Sequence, residues 1–413
     1  MACKFEDLTP QHKRIPGGAR RGRIITNRGI IETPEFLPVG TRATVKSMTP
    51  RQLAAIGVQG LLANTYHLYL RPGAEAVRKM GGLHTMMNWH RPIMTDSGGF
   101  QAFSLGAAKE HGVGKMGGVF PGEKAEKPKR KAHKSGLPLA KVDDDGVTFR
   151  SYIDGSTHRF TPESSIAIQR TLGADLILAF DECTSPLATK EYTEKSLHRT
   201  HAWALRCLDS PRDPHQSLYG ILQGGAYQDL RQEAVDFMVK LPWDALAIGG
   251  SLGKTKEDFH KVLDWTIPQL PPQLPRHLLG IGEMIDIFEG VERGIDTFDC
   301  VIPTRFARTA NVMVGPEMPH RTRRGTLNLR QARYRDDNRP IDPSCPCYTC
   351  CNFHRAYLHY LFASKEILAG TLCSIHNITA LLNLTQRIRE ALELGTFEDL
   401  KNRYTEGCSS EIC

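Results

Sequence analysis

The chain has 413 residues, of which 40% are hydrophobic, and it carries a formal net charge of +8 at pH 7. This composition excludes an intrinsically disordered protein, and the length allows one large domain with an appendage or two or three small domains. No apolar run is long enough to span a bilayer, and the polar first segment lacks the apolar core of a secretion signal. We therefore expect a cytoplasmic protein with no membrane association and with reduced cysteines.

Basic residues concentrate in two stretches, 20–28 and 320–335. A modest positive charge is common among soluble proteins, and attraction to a polyanionic partner is the other interpretation. The second stretch lies between a segment around Asp299 and a group of cysteines, both of which are candidates for function. This position favours nucleic acid as the partner.

Apolar strands alternate with amphipathic helices along most of the chain. Thr161 and Pro162 are typical of a helix start, and the amphipathic stretch that follows ends at Gly173. Further helices are predicted over 192–208, 227–241, 256–265 and 285–294. Eight strands are predicted in the segments 30–40, 57–65, 91–99, 175–180, 217–223, 245–250, 277–282 and 297–300. This alternation indicates right-handed βαβ units and a parallel sheet.

Polar residues or glycines follow one predicted strand after another, always at the carboxyl end. In a (β/α)8 barrel those ends form the active-site face, whereas a doubly wound open sheet, the alternative, concentrates its site at one switch point. We therefore predict an irregular (β/α)8 TIM barrel over residues 1–335, with a C-terminal zinc-binding subdomain and helix over residues 336–413.

Two segments depart from this regular pattern. Residues 106–142 are rich in Gly, Lys and Pro without an apolar period, which predicts an exposed insertion; a basic arm for nucleic acid is the alternative. Because it follows a strand end, it can overhang the active-site face. The tail from His376 to Tyr404 is amphipathic, which predicts a helix packed on the zinc-binding subdomain or on a partner subunit.

Cys345, Cys347, Cys350 and His376 have the spacing C-x-C-x2-C-x25-H. Three thiolates and one imidazole complete the tetrahedral shell of zinc and leave no open position, so we expect one structural Zn²⁺ per chain. A zinc-dependent hydrolase would need such an open position. The neighbouring Cys351 is poorly spaced for chelating the same ion.

Two carboxylates occupy equivalent places at strand ends. Asp96 is followed by a Gly-Gly turn and by Phe100, and Asp299 ends the last predicted strand. Alone, Asp96 could be a turn cap; together, two carboxylates on one barrel face fit a double displacement at an acetal-like carbon, with a nucleophile and an acid/base. A retaining glycosidase is one interpretation, but the positive charge at Arg305 and Arg308 favours a substrate with a phosphate backbone.

Six motifs occur in the order found in tRNA-guanine transglycosylases: MTDSGGFQ, FDECT, LQGG, AIGGS, FDCVIPTR and the zinc-ligand spacing. From about residue 20 to residue 404, apart from the insertion, the chain resembles the bacterial type of this queuine tRNA-ribosyltransferase family. The resemblance implies exchange of guanine at the first anticodon position (G34) of tRNAs with GUN anticodons (Asp, Asn, His, Tyr) for preQ1 or queuine. It also implies a homodimer and no ATP or redox cofactor.

The resemblance assigns Asp299 as the nucleophile that forms a covalent ribosyl intermediate, and Asp96 as the general acid/base. Guanine's edges suit Asp181 for N1–H and the exocyclic amine, and Gln223 for O6, although Gln223 could also be a strand-end cap. The implied base-binding residues are Asp96, Ser97, Gly98, Gly99, Phe100, Asp181, Cys183, Gln223, Gly249 and Gly250. The implied RNA-binding residues are Gly280, Ile281, Gly282, Glu283, Met284, Ile285, Asp286, Thr304, Arg305, Phe306, Ala307 and Arg308.

Five positions depart from the bacterial pattern: Phe100, Ser251, Gly253, Thr255 and Glu283. Gly253 replaces a valine, which favours acceptance of the bulkier queuine; Phe100 replaces a tyrosine; and Glu283 replaces a lysine, which puts RNA contact by that stretch in question. A non-catalytic paralogue would have lost Asp96 and Asp299, so we do not favour that alternative. An archaeal-type relative acting elsewhere on tRNA would need an added C-terminal domain, for which we expect no room.

Overall fold

Eight parallel strands close into a barrel in the computed structural model, which describes residues 2–10, 12, 17–103, 140–249, 252–322 and 324–406. The strands are β1 Lys4–Asp7, β2 Gly22–Thr26, β3 Gly29–Thr33, β4 Glu35–Gly40, β5 Leu61–Ala63, β6 Ile93–Thr95, β7 Ala140–Asp143, β8 Gly146–Arg150, β9 Thr157–Phe160, β10 Leu176–Leu178, β11 Ser217–Leu222, β12 Ala245–Ile248, β13 Arg276–Leu278, β14 Thr297–Cys300, β15 Asn311–Met313 and β16 Thr326–Asn328. The helices are Pro50–Ala55, Thr65–Leu70, Ala74–Lys79, Gly82–Met87, Pro162–Leu172, Lys190–Asp209, Gln228–Met238, Lys256–Thr266, Met284–Glu292, Ile302–Arg308, Tyr348–Asn352, Arg355–Ala363, Ile367–Leu394 and Phe397–Glu406, with 3-10 turns at Ile267–Gln269 and Ala332–Tyr334.

The barrel confirms the predicted fold class. Its strands follow one another as β4, β5, β6, β10, β11, β12, β13 and β14, and β14 pairs with β4 to close the ring. Each of the eight predicted segments contributes one of these strands. Thr161 caps the helix Pro162–Leu172 through a capping box with Ser164, and Gly173 ends that helix at a φ of +77°. The short apolar strands therefore have their carboxyl ends at one mouth of the barrel.

An antiparallel sheet of β7, β8 and β9 lies between the third and fourth barrel strands in the sequence. This finding corrects the end of the predicted insertion, since Ala140 to Val142 belong to β7 and not to a loop. Asp143 accepts hydrogen bonds from the backbone N–H groups of Asp145 and Gly146, which fixes a tight turn into β8. A Cβ at Gly146 would collide with the carbonyl oxygen of Phe160. The rest of the predicted insertion, 106–139, lies outside the described residues.

The strands β1, β2 and β3 form a separate sheet at the amino end of the barrel, and arginines of the N-terminal basic stretch pair with acidic residues of the protein itself. Arg20 is buried and donates to both carboxylate oxygens of Asp296, the residue before β14. Arg21 pairs with Glu32 and Glu393, and Arg23 pairs with Glu32. These three arginines form ion pairs within the protein, so their charge is used in holding the fold together.

The long helix Ile367–Leu394 joins the C-terminal region to the barrel. Thr385 donates to Glu35 at the start of β4 (2.7 Å), and Asn377 donates to the carbonyl of Pro303 (3.0 Å) and accepts from the N–H of Met313 (2.8 Å). The predicted tail helix is therefore two helices, separated at Gly395, and it packs against the barrel as well as the cysteine cluster. The proposed division at residue 336 stays a prediction.

Within the described part of the chain, this helix is the one candidate for a membrane span by length and composition. Its most apolar window is 67% buried inside the protein. A buried core helix of a soluble protein passes the same test, so the helix is weak evidence for membrane insertion.

Candidate functional site

Four of the polar side chains predicted to carry function lie around the carboxyl ends of the barrel strands. Asp96 follows β6, Asp181 follows β10, Gln223 follows β11, and Asp299 lies in β14. Asp181 contacts Gln223, and the negative charge of Asp299 contributes to raising the pKa of Asp96. The structure therefore brings the four residues together at one mouth, as a barrel requires of strand-end residues.

One oxygen of Asp299 is held by two neighbours. The backbone N–H of Gly280 donates to Oδ1 at 3.0 Å, and His277 Nε2 lies 3.2 Å from the same oxygen. The side chain of Asp299 keeps 11% of its surface exposed, whereas His277 is fully buried. This arrangement fixes the carboxylate plane and leaves Oδ2 for a reaction at the mouth.

Asp96 is held by the end of β5 and by its own turn. The backbone N–H groups of Thr65 and Gly98 donate to Oδ1 at 2.9 Å and 3.2 Å, and the Asn64 amide donates to Oδ2. Burial raises the pKa of Asp96 from 3.8 to about 7; the charge of Asp299 adds to the rise and the hydrogen bonds oppose it. A carboxyl group with this pKa can give and take a proton near neutral pH.

Asp181 and Gln223 form a buried polar pair beside Ser97. Gln223 Nε2 donates to Asp181 Oδ2 at 2.5 Å, and the Ser97 hydroxyl donates to Oδ1 at 3.2 Å. Burial raises the pKa of Asp181 to about 6, against the lowering effect of these two hydrogen bonds. Gln223 Oε1 is buried and has no hydrogen-bond partner among the described residues. An acceptor of this kind suits a ligand with an N–H group, because an unpaired buried polar atom is costly.

Close packing requires glycines at three positions of this site. Gly98 adopts a φ of +77°, and a Cβ on Gly99 would lie 2.9 Å from the carbonyl oxygen of Asp181. A Cβ on Gly249 would lie 2.6 Å from a methyl group of Ile221 and 2.9 Å from the Gln223 amide. Gly250, the other predicted backbone contact, lies outside the described residues.

Phe100 and Cys183, which complete the predicted base-binding set, are half-buried near these groups. Phe100 lies in the helical segment 99–103, directly after the turn that carries Asp96. The structure gives Gly253 a reason of its own, since its φ is +91° and a Cβ would collide with Asp258. The glycine is therefore required by the backbone, whichever base is bound.

Three residues of this site were not predicted from the sequence. Asn64 follows β5, so the rule that polar residues follow strands could have identified it. His277 lies inside β13, and Arg231 lies in the amphipathic helix Gln228–Met238, where no pattern distinguishes them. Arg231 is fully buried and donates to the carbonyls of Leu222, Gly225 and Gly249 at 2.7–3.1 Å. It fixes the carboxyl ends of β11 and β12, and with them Gln223.

The two segments predicted to bind RNA are only partly accessible. In the first segment Ile281, Gly282, Met284 and Asp286 are buried, while Gly280, Glu283 and Ile285 are half-buried. In the second segment Thr304 and Ala307 are buried, Phe306 is half-buried, and Arg305 and Arg308 are exposed. Direct contact with a large ligand is therefore restricted to the residues that are not buried. These are Gly280, Glu283 and Ile285 in the first segment and Arg305, Phe306 and Arg308 in the second.

Glu283, which stands where a lysine is common, has two cationic neighbours. Arg324 lies 3.3 Å from its carboxylate and Lys256 lies 3.8 Å away. Lys256 also pairs with the buried Asp286, whose pKa burial raises to about 6. The negative charge of Glu283 is thus offset locally by Arg324 and Lys256.

The four predicted metal ligands converge, with all ligand atoms within 4.8 Å of one another. His376 Nε2 lies 2.7 Å from the carbonyl oxygen of Met313, which can only accept, so the proton belongs on Nε2. The unprotonated Nδ1 then faces Cys350 Sγ at 3.2 Å and Cys347 Sγ at 3.7 Å. This orientation is the one a ligating histidine needs, and the residues present fit a closed, four-ligand metal site.

Comparison with known proteins agrees with this geometry. The family model described as queuine tRNA-ribosyltransferase matches residues 16–116 and 131–410. The queuine tRNA-ribosyltransferase of Roseiflexus sp. (strain RS-1) is 47% identical over 398 residues, which cover 94% of this chain and 96% of the relative. A putative queuine tRNA-ribosyltransferase of Archaeoglobus fulgidus is 46% identical over 93% of this chain and 96% of its own, and that of Shewanella sp. (strain ANA-3) is 44% identical over 94% and 95%. The chain belongs to the queuine tRNA-ribosyltransferase family of pentosyltransferases.

Proposed function

We propose that the chain is a tRNA-guanine transglycosylase, which exchanges guanine at position 34 of tRNAs with GUN anticodons for a 7-deazaguanine as a step in queuosine modification. The observation that carries the proposal is the pair of carboxylates at the barrel mouth. Asp299 has one oxygen fixed and one left for attack, and Asp96 has a pKa near neutrality. Two carboxylates with these separate properties suit a double displacement.

In the first step, Asp299 Oδ2 attacks C1′ of the ribose, and the bond from C1′ to guanine breaks. Asp96, in its protonated form, gives its proton to the departing guanine. In the second step, Asp96 takes a proton from the incoming deazaguanine, whose nitrogen displaces Asp299 from C1′. The ester to Asp299 conserves the free energy of the glycosidic bond, so neither ATP nor a redox cofactor enters.

Base recognition is proposed for the buried pair beside Ser97. Asp181 accepts from N1–H and the exocyclic amine of guanine. Gln223 Nε2 donates to O6 once the amide rotates away from Asp181. Phe100 offers a ring for stacking, and the glycines at 98, 99 and 249 allow close approach of the base. Cys183 and Gly250 complete the proposed pocket. The base reaches it only after leaving the anticodon stack.

The tRNA backbone is proposed to contact Arg305 and Arg308, which are the exposed cations nearest in sequence to Asp299. Gly280, Glu283 and Ile285 lie in the other accessible segment. We propose that the cysteine cluster holds one structural Zn²⁺ and that the enzyme works in the cytoplasm. Queuine and preQ1 are both proposed substrates. Competition of each base against labelled guanine measures which of them the enzyme accepts.

We propose a homodimer, supported by exposed apolar side chains on the C-terminal region. Tyr348, Tyr360 and Ile367 have 58%, 60% and 84% of their surface exposed, and the rings of Phe353 and Tyr357 stack between them in sequence. Several large apolar side chains exposed on one segment are typical of an interface.

Incorporation of labelled guanine tests the function. The substrates are a tRNA with a GUN anticodon and the same tRNA with G34 changed to A. We expect incorporation into the first tRNA only. No incorporation into either tRNA, with metal bound and tRNA retained, would overturn the proposed reaction and favour a non-catalytic binding subunit.

A further inference from the structure

His277 contacts both Asp299 and the residue two positions before it. Its Nδ1 lies 2.9 Å from the Thr297 hydroxyl, and its Nε2 lies 3.2 Å from Asp299 Oδ1. The strand register pairs His277 with Thr297, and Asp299 lies on the same face of β14 because side chains alternate along a strand. One imidazole on β13 therefore connects two positions of the neighbouring strand.

The partners of the ring determine where its protons lie. Asp299, as a carboxylate, can only accept a hydrogen bond, so Nε2 must carry a proton. The Thr297 hydroxyl can donate as well as accept, and it satisfies an unprotonated Nδ1 by donating to it. The ring is fully buried, and Thr297 and Asp299 are the hydrogen-bond partners of its two nitrogens among the described residues. Nε2 therefore carries the proton that Asp299 accepts, and the Thr297 hydroxyl pairs with Nδ1 as donor or acceptor.

We propose that His277 is a positioning residue, which holds Asp299 Oδ1 so that Oδ2 is aimed at the sugar carbon. This inference rests on the proposed role of Asp299 as nucleophile. The N–H of Gly280 donates to the same oxygen, so Oδ1 has two donors that together oppose rotation of the carboxylate. Rotation would exchange the two oxygens and turn the free one away from the mouth. A fixed nucleophile accelerates attack because the geometry is set before the substrate arrives.

A matched pair of substitutions separates positioning from packing. In His277→Gln the side-chain amide nitrogen can occupy the place of Nε2 and still donate to Asp299. In His277→Asn the amide reaches only the place of Nδ1, beside Thr297, and the donor to Asp299 is lost. Both variants remove the ring and leave a buried amide, so a structural effect alone would change them similarly.

The measurement is single-turnover formation of the covalent enzyme–tRNA complex on a denaturing gel, with tRNA Kd and thermal unfolding measured on the same samples. We expect His277→Asn to form the complex about 10- to 100-fold more slowly, the loss typical of one hydrogen bond to a charged group, with Kd unchanged. We expect His277→Gln to remain within about threefold of the wild type. Equal rates in the two variants, or a loss confined to Kd, would overturn the inference.

A spectroscopic measurement on the unsubstituted protein is independent of activity. In ¹⁵N-histidine-labelled enzyme, with the signal assigned by comparison with His277→Asn, we expect a proton on Nε2. An unprotonated Nε2 would overturn the proposal even if the rates agreed with it. Asp299→Asn separates the test of the proposed nucleophile from the test of the positioning role of His277. Covalent complex in that variant contradicts the proposed nucleophile, whereas a wild-type rate in His277→Asn with an inactive Asp299→Asn contradicts the positioning role alone.

Discussion

Asp96 and Asp299 are the same residue type at the same barrel mouth, yet their surroundings differ. Asp299 is buried and is fixed by an imidazole and a backbone N–H. Asp96 is half-buried, and desolvation together with the nearby charge of Asp299 favours its protonated form. Environments that separate two carboxyl groups in this way assign them different tasks. The sequence could place both residues at strand ends, but it could not predict this difference.

Substitution of Asp299 tests the proposed nucleophile. We expect Asp299→Asn to lower guanine exchange more than about 1,000-fold, because the amide keeps the shape and the Gly280 contact but cannot form the ester. The Kd for tRNA should stay within about threefold, since the proposed phosphate contacts at Arg305 and Arg308 do not include this carboxylate. Filter binding and exchange assays on the same preparation measure the two quantities. An equal loss of binding would indicate a structural role for Asp299.

The pH dependence of covalent complex formation tests Asp96. The proposed first step requires its protonated form, and burial raises its pKa to about 7, so the rate should fall as pH rises above about 7. In Asp96→Asn the rate should be low and should show no transition near pH 7. A wild-type profile without a transition near neutrality would contradict the assignment.

The raised pKa of Asp96 also makes the stability of the folded protein depend on pH. The folded-state pKa of Asp96 lies above its ordinary value of 3.8, so the native state binds a proton that the unfolded state has released between these two values. The contribution of Asp96 to stability therefore decreases as pH rises from about 4 to about 7. Urea unfolding of the wild type and of Asp96→Asn at both ends of this range measures the effect. A variant whose stability has the same pH dependence as the wild type would contradict it.

At the scale of elements, the barrel strands were predictable because period, length and strand-end residues all agree. The antiparallel sheet β7–β9 was missed because it follows a long basic stretch, and its short strands carry little apolar pattern. The strands β1 and β2 were also missed, since the arginines in and around β2 formed a basic cluster with two open interpretations. A charge cluster in a sequence does not reveal its partners, and Asp296 is more than 270 residues from Arg20.

The contact between the long C-terminal helix and β4 gives an element-scale prediction. Glu35 is buried, which raises its pKa, and Arg389 lies 3.3 Å from its carboxylate. Arg389→Met leaves that acid without its cation, and we expect a loss of about 3 kcal/mol in the free energy of unfolding. The double variant with Glu35→Gln should recover part of the loss. Urea unfolding measures both.

An exposed position on the same helix supplies the control. Gln386 pairs with Glu390 at the surface, and Gln386→Ala should change the free energy of unfolding by less than about 0.5 kcal/mol. If Arg389→Met has an effect no larger than this control, the buried pair does not hold the helix to the barrel.

For the whole molecule, the cysteine cluster gives a prediction about the metal. We expect one zinc ion per chain by mass spectrometry, and removal by a chelator should unfold the C-terminal region, because binding to a closed site is coupled to folding. Cys350→Ser should lose the metal, whereas Cys351→Ser should keep it, since Cys351 is exposed and outside the cluster. Retention of fold and exchange after the metal has been removed would contradict a structural role.

The proposed dimer is tested by light scattering after gel filtration. We expect Tyr360→Lys to shift the protein to monomers, because it places a charge within the exposed apolar segment. Leu394→Lys is the matched control, since Leu394 is 76% exposed and lies about 40 Å from Ile367 along the helix, at 1.5 Å per residue. Dissociation by both substitutions, or by neither, would contradict the proposed interface.

The link between Glu35 and Thr385 has a consequence for the order of events during synthesis. The two residues are 350 positions apart, so a ribosome releases β4 long before its partner helix exists. The first barrel strand, β4, is synthesised before two elements that it contacts. The strand β14 pairs with it to complete the ring, and the C-terminal helix supplies the hydrogen bond from Thr385 to Glu35. The emerging chain therefore carries an incomplete barrel with an open strand edge until β14 has been synthesised, and it depends during that interval on protection from aggregation.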